Sequence, residues 1–151
     1  MKNTSLCYIE ENGKYLMLHR TKKENDENKD KWIGVGGKFE DGETPFECAE
    51  REILEETGLS GLSLSYRGIV TFESDIYETE YMHLFVATGE IGKIKSCDEG
   101  ELVFVEKEKI YGLPIWEGDK IFLKLLEENR SFFSLKLSYR GQALNSYKIE
   151  N

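Results

Sequence analysis

The sequence predicts an α/β protein in which a mixed β-sheet carries one helix on each face. Three observations lead there. Residues 44–58 read as a helix punctuated at both ends. Residues 117–129 place Ile121, Phe122, Leu125 and Leu126 on one side of a second helix. Between and around these two lie apolar runs of strand length, bounded by turn residues.

Taken in order, residues 4–9 and 14–20 read as two strands, and Glu11-Asn12-Gly13 between them is hairpin chemistry. Residues 21–31 carry no apolar side chain and read as a mobile, solvated loop. From it Lys22 and Lys23 are within reach of phosphates, against the plainer role of surface solubility. Residues 32–39 form a glycine-rich approach to the first helix. It is neither a dinucleotide fingerprint, since Phe39 stands in place of the third glycine, nor a P-loop. Glycines there allow backbone groups to approach a ligand closely. After the helix, residues 62–74 and 80–88 read as two long strands, and 101–106 as a short buried one. The tail, 132–139 and 144–149, closes as a hairpin around Arg140-Gly141-Gln142.

The totals set bounds. A chain of 151 residues, 39% hydrophobic and 12% aromatic with two prolines, suits a single domain over 1–151 with one hydrophobic core. A formal charge of −9 argues against a nucleic-acid polymer or an anionic membrane as partner. It leaves a nucleotide open, because divalent cations invert the sign of an acidic pocket. Cys7, Cys48 and Cys97 form no CxxC pair, so neither a disulfide framework nor a zinc site is indicated. Reduced thiols, no apparent signal peptide and no long apolar run point to a soluble cytoplasmic protein, monomer or homodimer.

The first helix holds the informative pattern. Thr44 reads as N-cap, Pro45 as first helical residue and Glu47 as the partner completing a capping box, with Gly58 as the left-handed stop. Phe46, Ala49 and Ile53 fall within an arc of about 60°, a core-facing stripe. Glu52, Glu55 and Glu56 fall on an adjacent arc of about 100°. Like charges at this spacing, in the half of the helix where the dipole disfavours them, are costly unless a cation is bound there. A solvated acidic face is the plain alternative. Carboxylate oxygens are what Mg²⁺ prefers, usually together with substrate phosphates.

The stretch from Gly37 to Leu59 resembles the Nudix box, G-x5-E-x7-R-E-U-x-E-E-x-G-U with U a bulky aliphatic residue. Gly37, Glu43, Arg51, Glu52, Ile53, Glu55, Glu56, Gly58 and Leu59 occupy every defined position. The resemblance implies the α/β/α sandwich of that family and hydrolysis of a nucleoside diphosphate linked to another group, with Mg²⁺, or Mn²⁺ in its place. It implies that Glu52, Glu55 and Glu56 hold or bridge the metal, that Arg51 pairs with a box carboxylate such as Glu43, and that the Gly36 carbonyl is a further ligand. Glu99, ahead of the strand 101–106, is the expected additional acid, with Asp98 and Glu101 as rivals. Glu56 is the expected principal ligand, with Glu55 or Glu99 near the attacking water.

The flanks are similar to oxidised-purine nucleotide hydrolases of the mammalian MutT-homologue type. Trp32-x-Gly34-x-Gly36-Gly37-Lys38, Val70-x-Phe72-Glu73 and Ile115-Trp116-Glu117-Gly118-Asp119 carry this likeness. It implies Phe72, Trp116 and Asp119 toward the base, and Lys23 and Lys38 are the other expected substrate contacts. Read from the residues alone, Trp116 is equally a core residue and Asp119 equally first-turn helix charge. Ile33 stands where close relatives have asparagine, and Gly118 where one of two adjacent aspartates is expected. The substrate expected is an oxidised purine dNTP such as 8-oxo-dGTP. ADP-ribose, a dinucleoside polyphosphate or an mRNA-cap-like substrate is the enzymatic alternative, and a non-catalytic nucleotide sensor the other. His19 and His83 are expected to be structural.

Overall fold

Strand β1 (Lys2–Glu11) divides its side chains between two cores. Leu6 and Tyr8 face one, Cys7 and Ile9 the other. A strand covered on both faces needs apolar residues at every position rather than every second one, and residues 6–9 (Leu-Cys-Tyr-Ile) have that pattern. The computed structural model describes residues 1–22 and 25–150.

The chain continues through β2 (Lys14–Arg20), β3 (Trp32–Ile33), β4 (Val35–Lys38), α1 (Pro45–Thr57), β5 (Ser63–Ser74) and β6 (Glu80–Thr88). Then come β7 (Gly100–Glu106), α2 (Lys107–Ile110), α3 (Glu117–Glu127), β8 (Phe133–Arg140) and β9 (Ala143–Glu150). The sheet order is β3-β2-β1-β6-β5-β8-β9, with β4 also paired to β1 and β7 to β2. The pairs β1·β6 and β5·β8 are parallel and the others antiparallel, so the sheet is mixed, as expected. Ala49 and Ile53 of α1 pack with Cys7, Ile9, Leu16, Val35 and Phe85 on one face. Phe122, Leu123, Leu125 and Leu126 of α3 pack with Leu6, Tyr8, Met17, Val70 and Leu84 on the other.

One topological detail positions the site. The C-terminal part of β1 pairs with β2 (Ile9↔Leu16), while its N-terminal part pairs on that side with β4 (Ser5↔Gly37, Leu6↔Gly36). The glycine-rich approach is therefore strand, laid against β1. A Cβ on Gly36 would stand 1.9 Å from the Ser5 carbonyl oxygen, so only glycine fits. The β1–β2 turn is the Asn12-Gly13 pair, both at positive φ.

Three expectations need correction. Phe46 is 42% exposed instead of lying in the core-facing stripe. It meets Phe85 edge-on at 5.1 Å from the first turn, and Cys48 is the buried neighbour of Ala49. Helical phase does not reveal how far the sheet extends beneath a helix's first turn. The strand 101–106 is half exposed rather than buried, because β7 pairs with β2 at the sheet margin. Within the loop 21–31, residues 25–31 form hydrogen-bonded turns: Asp30 N–H donates to the Arg20 carbonyl at 2.7 Å, and Arg20 Nε to Asp26 at 2.7 Å. Polar side chains that satisfy backbone groups order a loop with no apolar content. No helix of the described residues is long and apolar enough to cross a membrane.

Candidate active site

Helix α1 is set by its ends. Thr44 Oγ1 accepts from the Glu47 amide at 3.1 Å, and Glu47 Oε1 accepts from the Thr44 amide at 2.9 Å. At the other end Gly58, φ 79°, donates its N–H to the Leu54 carbonyl. These locks fix the helical phase, and with it the direction of each glutamate.

The glutamates then separate. Glu56 is 7% exposed, and its Oε2 accepts from the Gly36 amide at 2.8 Å. Its Oε1 is buried with no N–H or hydroxyl donor, and the side chain beside it is the Glu99 carboxyl. Burial first, then the neighbouring Glu99 and Glu52, push its carboxyl well above the usual range. Glu52 lines a cleft of about 390 Å³, and burial raises its carboxyl against the opposing pull of Arg51. A Cβ on Gly37 would stand 2.5 Å from Glu52 Oε2. Glu55 faces solvent, its side chain 55% exposed, and accepts from Arg51 at 3.1 Å. It stands apart from the inward pair.

Arg51 is fully engaged outside the cleft. Nε and Nη2 grip Glu43 at 2.7 and 3.0 Å, Nη1 donates to Glu52 and Glu55, and Nη2 also reaches the Lys38 carbonyl. This bidentate clamp ties α1 to the loop before it, and Glu43 is held below the usual carboxylate range by it.

Glu99 comes from the turn before β7. It lines the cleft, meets Arg20 at 3.3 Å and lies beside Glu56. Its rivals Asp98 and Glu101 are exposed and outside the lining. Gly36, Gly37 and Lys38 line the same cleft. Lys22 does not point to it, since its Nζ donates to the Cys97 carbonyl at 2.9 Å. Lys23 lies outside the described residues.

Phe72, Trp116, Asp119 and Tyr139 also wall this cleft. Trp116 meets Tyr139 edge-on at 5.2 Å and Phe72 at 5.9 Å. Both readings of Trp116 have a place: it is 8% exposed, at the N-cap of α3, and part of the cleft wall. Its Nε1 donates to Asn28 Oδ1 at 2.7 Å, and Lys31 Nζ lies 4.8 Å from the ring centre. Asp119 is buried, not surface charge on the first turn. Burial pushes its carboxyl up to about 8, with Lys31 opposing and Glu80 adding. Below that pH it carries a proton and can donate as well as accept. Gly118 is packed closely, so the expected aspartate would have to push Leu137 and Tyr139 aside. A Cβ there would meet Leu137 Cδ1 at 2.4 Å, and its amide donates to Tyr139 Oη at 2.7 Å.

Sequence reasoning missed Asn28, Tyr139 and Cys97. Asn28 sat in a stretch without apolar periodicity, and Tyr139 read as an ordinary strand residue. The two histidines are structural: His19 stacks on Trp32 at 4.4 Å, and His83 bridges Tyr66 and Asn3.

The NUDIX domain model matches residues 2–126. The chain belongs to the NUDIX domain family. It is 36% identical over 104 residues to the oxidized purine nucleoside triphosphate hydrolase of Danio rerio, spanning 68% of this chain and 66% of that one. It is 26% identical to the uncharacterized Nudix hydrolase YvcI of Bacillus subtilis (strain 168), over 99% of this chain and 95% of that one. In structure it superimposes on the crystal structure of the mutator MutT protein from Bacillus halodurans with a TM-score of 0.86. That match has 25% identity and covers 99% and 98% of the two chains.

Proposed function

We propose that this chain is a Mg²⁺-dependent Nudix hydrolase that converts an oxidised purine nucleoside triphosphate to its monophosphate and pyrophosphate, cleansing the nucleotide pool. The observation that supports it most is Glu56: a buried carboxylate with one oxygen that no donor reaches, held against Glu99, which lines a cleft that also has an aromatic wall. An uncompensated buried carboxylate is expensive, and a divalent cation removes the expense. The donor set therefore fits such an ion.

Glu52, Glu56 and Glu99, with the Gly36 carbonyl, would hold it. When bound, the cation neutralises phosphate oxygens and lowers the pKa of the attacking water. Glu99, facing the cleft, is better placed than Glu55 to accept a proton from that water. Glu55 and Glu43 hold Arg51, which positions the helix that carries the ligands. Lys38 takes the phosphates, while Trp116, Phe72 and Asp119 take the base.

Ile33 and Gly118 favour a second reading of the base pocket. Gly118 offers no second edge carboxylate, and a side chain there would have to displace Leu137 and Tyr139, so the hydrolytic machinery is compatible with another base or leaving group, ADP-ribose or a dinucleoside polyphosphate. A Mg²⁺-dependent turnover panel separates the readings. Highest kcat/KM on 8-oxo-dGTP or 2-oxo-dATP, with pyrophosphate released, sustains the first. Preference for ADP-ribose or diadenosine polyphosphates over every dNTP replaces it with the second. No turnover on any of them moves the chain to the sensor class.

A further inference from the structure

Cys97 is out of place for a structural thiol. Cys7 lies among Ile9, Leu16 and Val35, the apolar setting usual for a buried free cysteine. Cys48 bonds Ser5 Oγ at 3.3 Å and the Gly37 carbonyl at 3.5 Å. Cys97, 5% exposed, instead turns its Sγ toward two carboxylates: ligand atoms of Glu56, Cys97 and Glu99 all lie within 4.8 Å of one another. Among the described residues no other such group forms.

The thiol is held there. Cys97 bridges to Gly100, Lys22 Nζ clasps its carbonyl at 2.9 Å, and the Glu99 amide donates to its Sγ at 3.5 Å. Glu56 brings an independent sign of a ligand, a buried Oε1 that no donor reaches. Mg²⁺ leaves a thiol unused, because it takes oxygen donors. Zn²⁺ takes cysteine sulfur and glutamate oxygen together.

We propose that Glu56, Cys97 and Glu99 form a mixed sulfur–oxygen site for a thiophilic divalent cation, Zn²⁺ by its chemistry, whose occupancy competes with Mg²⁺. It rests on the reading of Glu56 and Glu99 as cation ligands. Binding forms a metal–sulfur bond, breaks the S–H bond and releases that proton to solvent, with no change of oxidation state. Residues 56 and 97–99 are far apart in sequence, so cysteine spacing carries no trace of such a site. Its consequence is a hydrolase that Zn²⁺ inhibits by occupying two of the Mg²⁺ ligands.

The test uses the full chain freed of metal and titrated with Co²⁺, following sulfur-to-metal charge-transfer absorption. Zinc K-edge absorption on the Zn²⁺-loaded protein accompanies it. We expect a band saturating at one equivalent, retained in Cys48→Ser, absent in Cys97→Ser and suppressed by excess Mg²⁺. The zinc edge should show one sulfur at about 2.3 Å. Only oxygen or nitrogen around zinc in the wild type overturns the proposal without any variant, so a Cys97→Ser chain that fails to fold does not protect it. A band that survives in folded Cys97→Ser overturns it as well. Mg²⁺-dependent nucleotide turnover with no sulfur signal refutes this site and leaves the hydrolase reading intact. A sulfur signal with no turnover on any nucleotide does the reverse.

Discussion

The Gly36 amide donates to Glu56 Oε2 at 2.8 Å, joining β4 to the last turn of α1. This bond orients one oxygen and leaves the other buried with no donor of its own. Gly36 is thus fixed on two sides, by Ser5 beneath its Cα and by Glu56 at its N–H. Gly36, just ahead of the box, and the box residue Glu56 act as one unit.

Glu56→Gln preserves the shape of that contact and removes the charge. We expect Mg²⁺-dependent turnover to fall at least about a hundredfold, about 3 kcal/mol in the barrier. The metal-free protein should gain stability, because a buried carboxylate without full compensation is gone. Steady-state kinetics and thermal melts with and without Mg²⁺ measure both. Near-wild-type turnover with unchanged circular dichroism would take Glu56 out of the mechanism.

Arg51→Lys keeps the positive charge but cannot span both oxygens of Glu43 while reaching Glu52 and the Lys38 carbonyl. The expected result is a lower melting midpoint and a several-fold higher Mg²⁺ concentration for half-maximal rate. An unchanged Mg²⁺ requirement would show that the clamp does not position the metal-binding glutamates.

Asp119 supplies a pH signature distinct from the metal ligands. Its carboxyl is raised from 3.8 to about 8, and Lys31, Glu80, Tyr8 and Tyr139 are the titratable groups coupled to it. Between those two values the folded chain keeps a proton that the unfolded chain has lost, so this contribution falls as pH rises. The stability of Asp119→Asn relative to wild type should therefore climb from pH 4 to pH 8, by on the order of a few kcal/mol. Urea unfolding across that range tests it. A difference that stays flat would mean Asp119 is ionised in the folded chain throughout.

Gly118→Asp restores the residue expected by resemblance and should do harm. Its Cβ would press on Leu137 and Tyr139, and we expect a loss of about 1–3 kcal/mol in urea unfolding. An unchanged midpoint would show that the α3–β8 contact yields easily. The absent aspartate would then need another explanation.

Much of this molecule was legible in the chain because the governing interactions are local. The capping box at Thr44 and Glu47, the Gly58 stop, the Asn12-Gly13 turn and the closing hairpin join residues no more than a few positions apart. Their geometry depends on backbone preference and helical or strand period, both of which a sequence displays.

Tertiary structure decided which side chains share a space. Glu55 and Glu56 lie on one arc of α1, yet one faces solvent and the other is buried against β4, because only the sheet's position beneath the helix distinguishes them. Asn28 meeting Trp116, Tyr139 meeting Gly118, and Cys97 meeting Glu56 join residues 21 to 88 positions apart. Such contacts follow from how the strands stack and where β4 enters the edge of β1. The residue types declared the chemistry available; packing set each group's partners, and through them its charge.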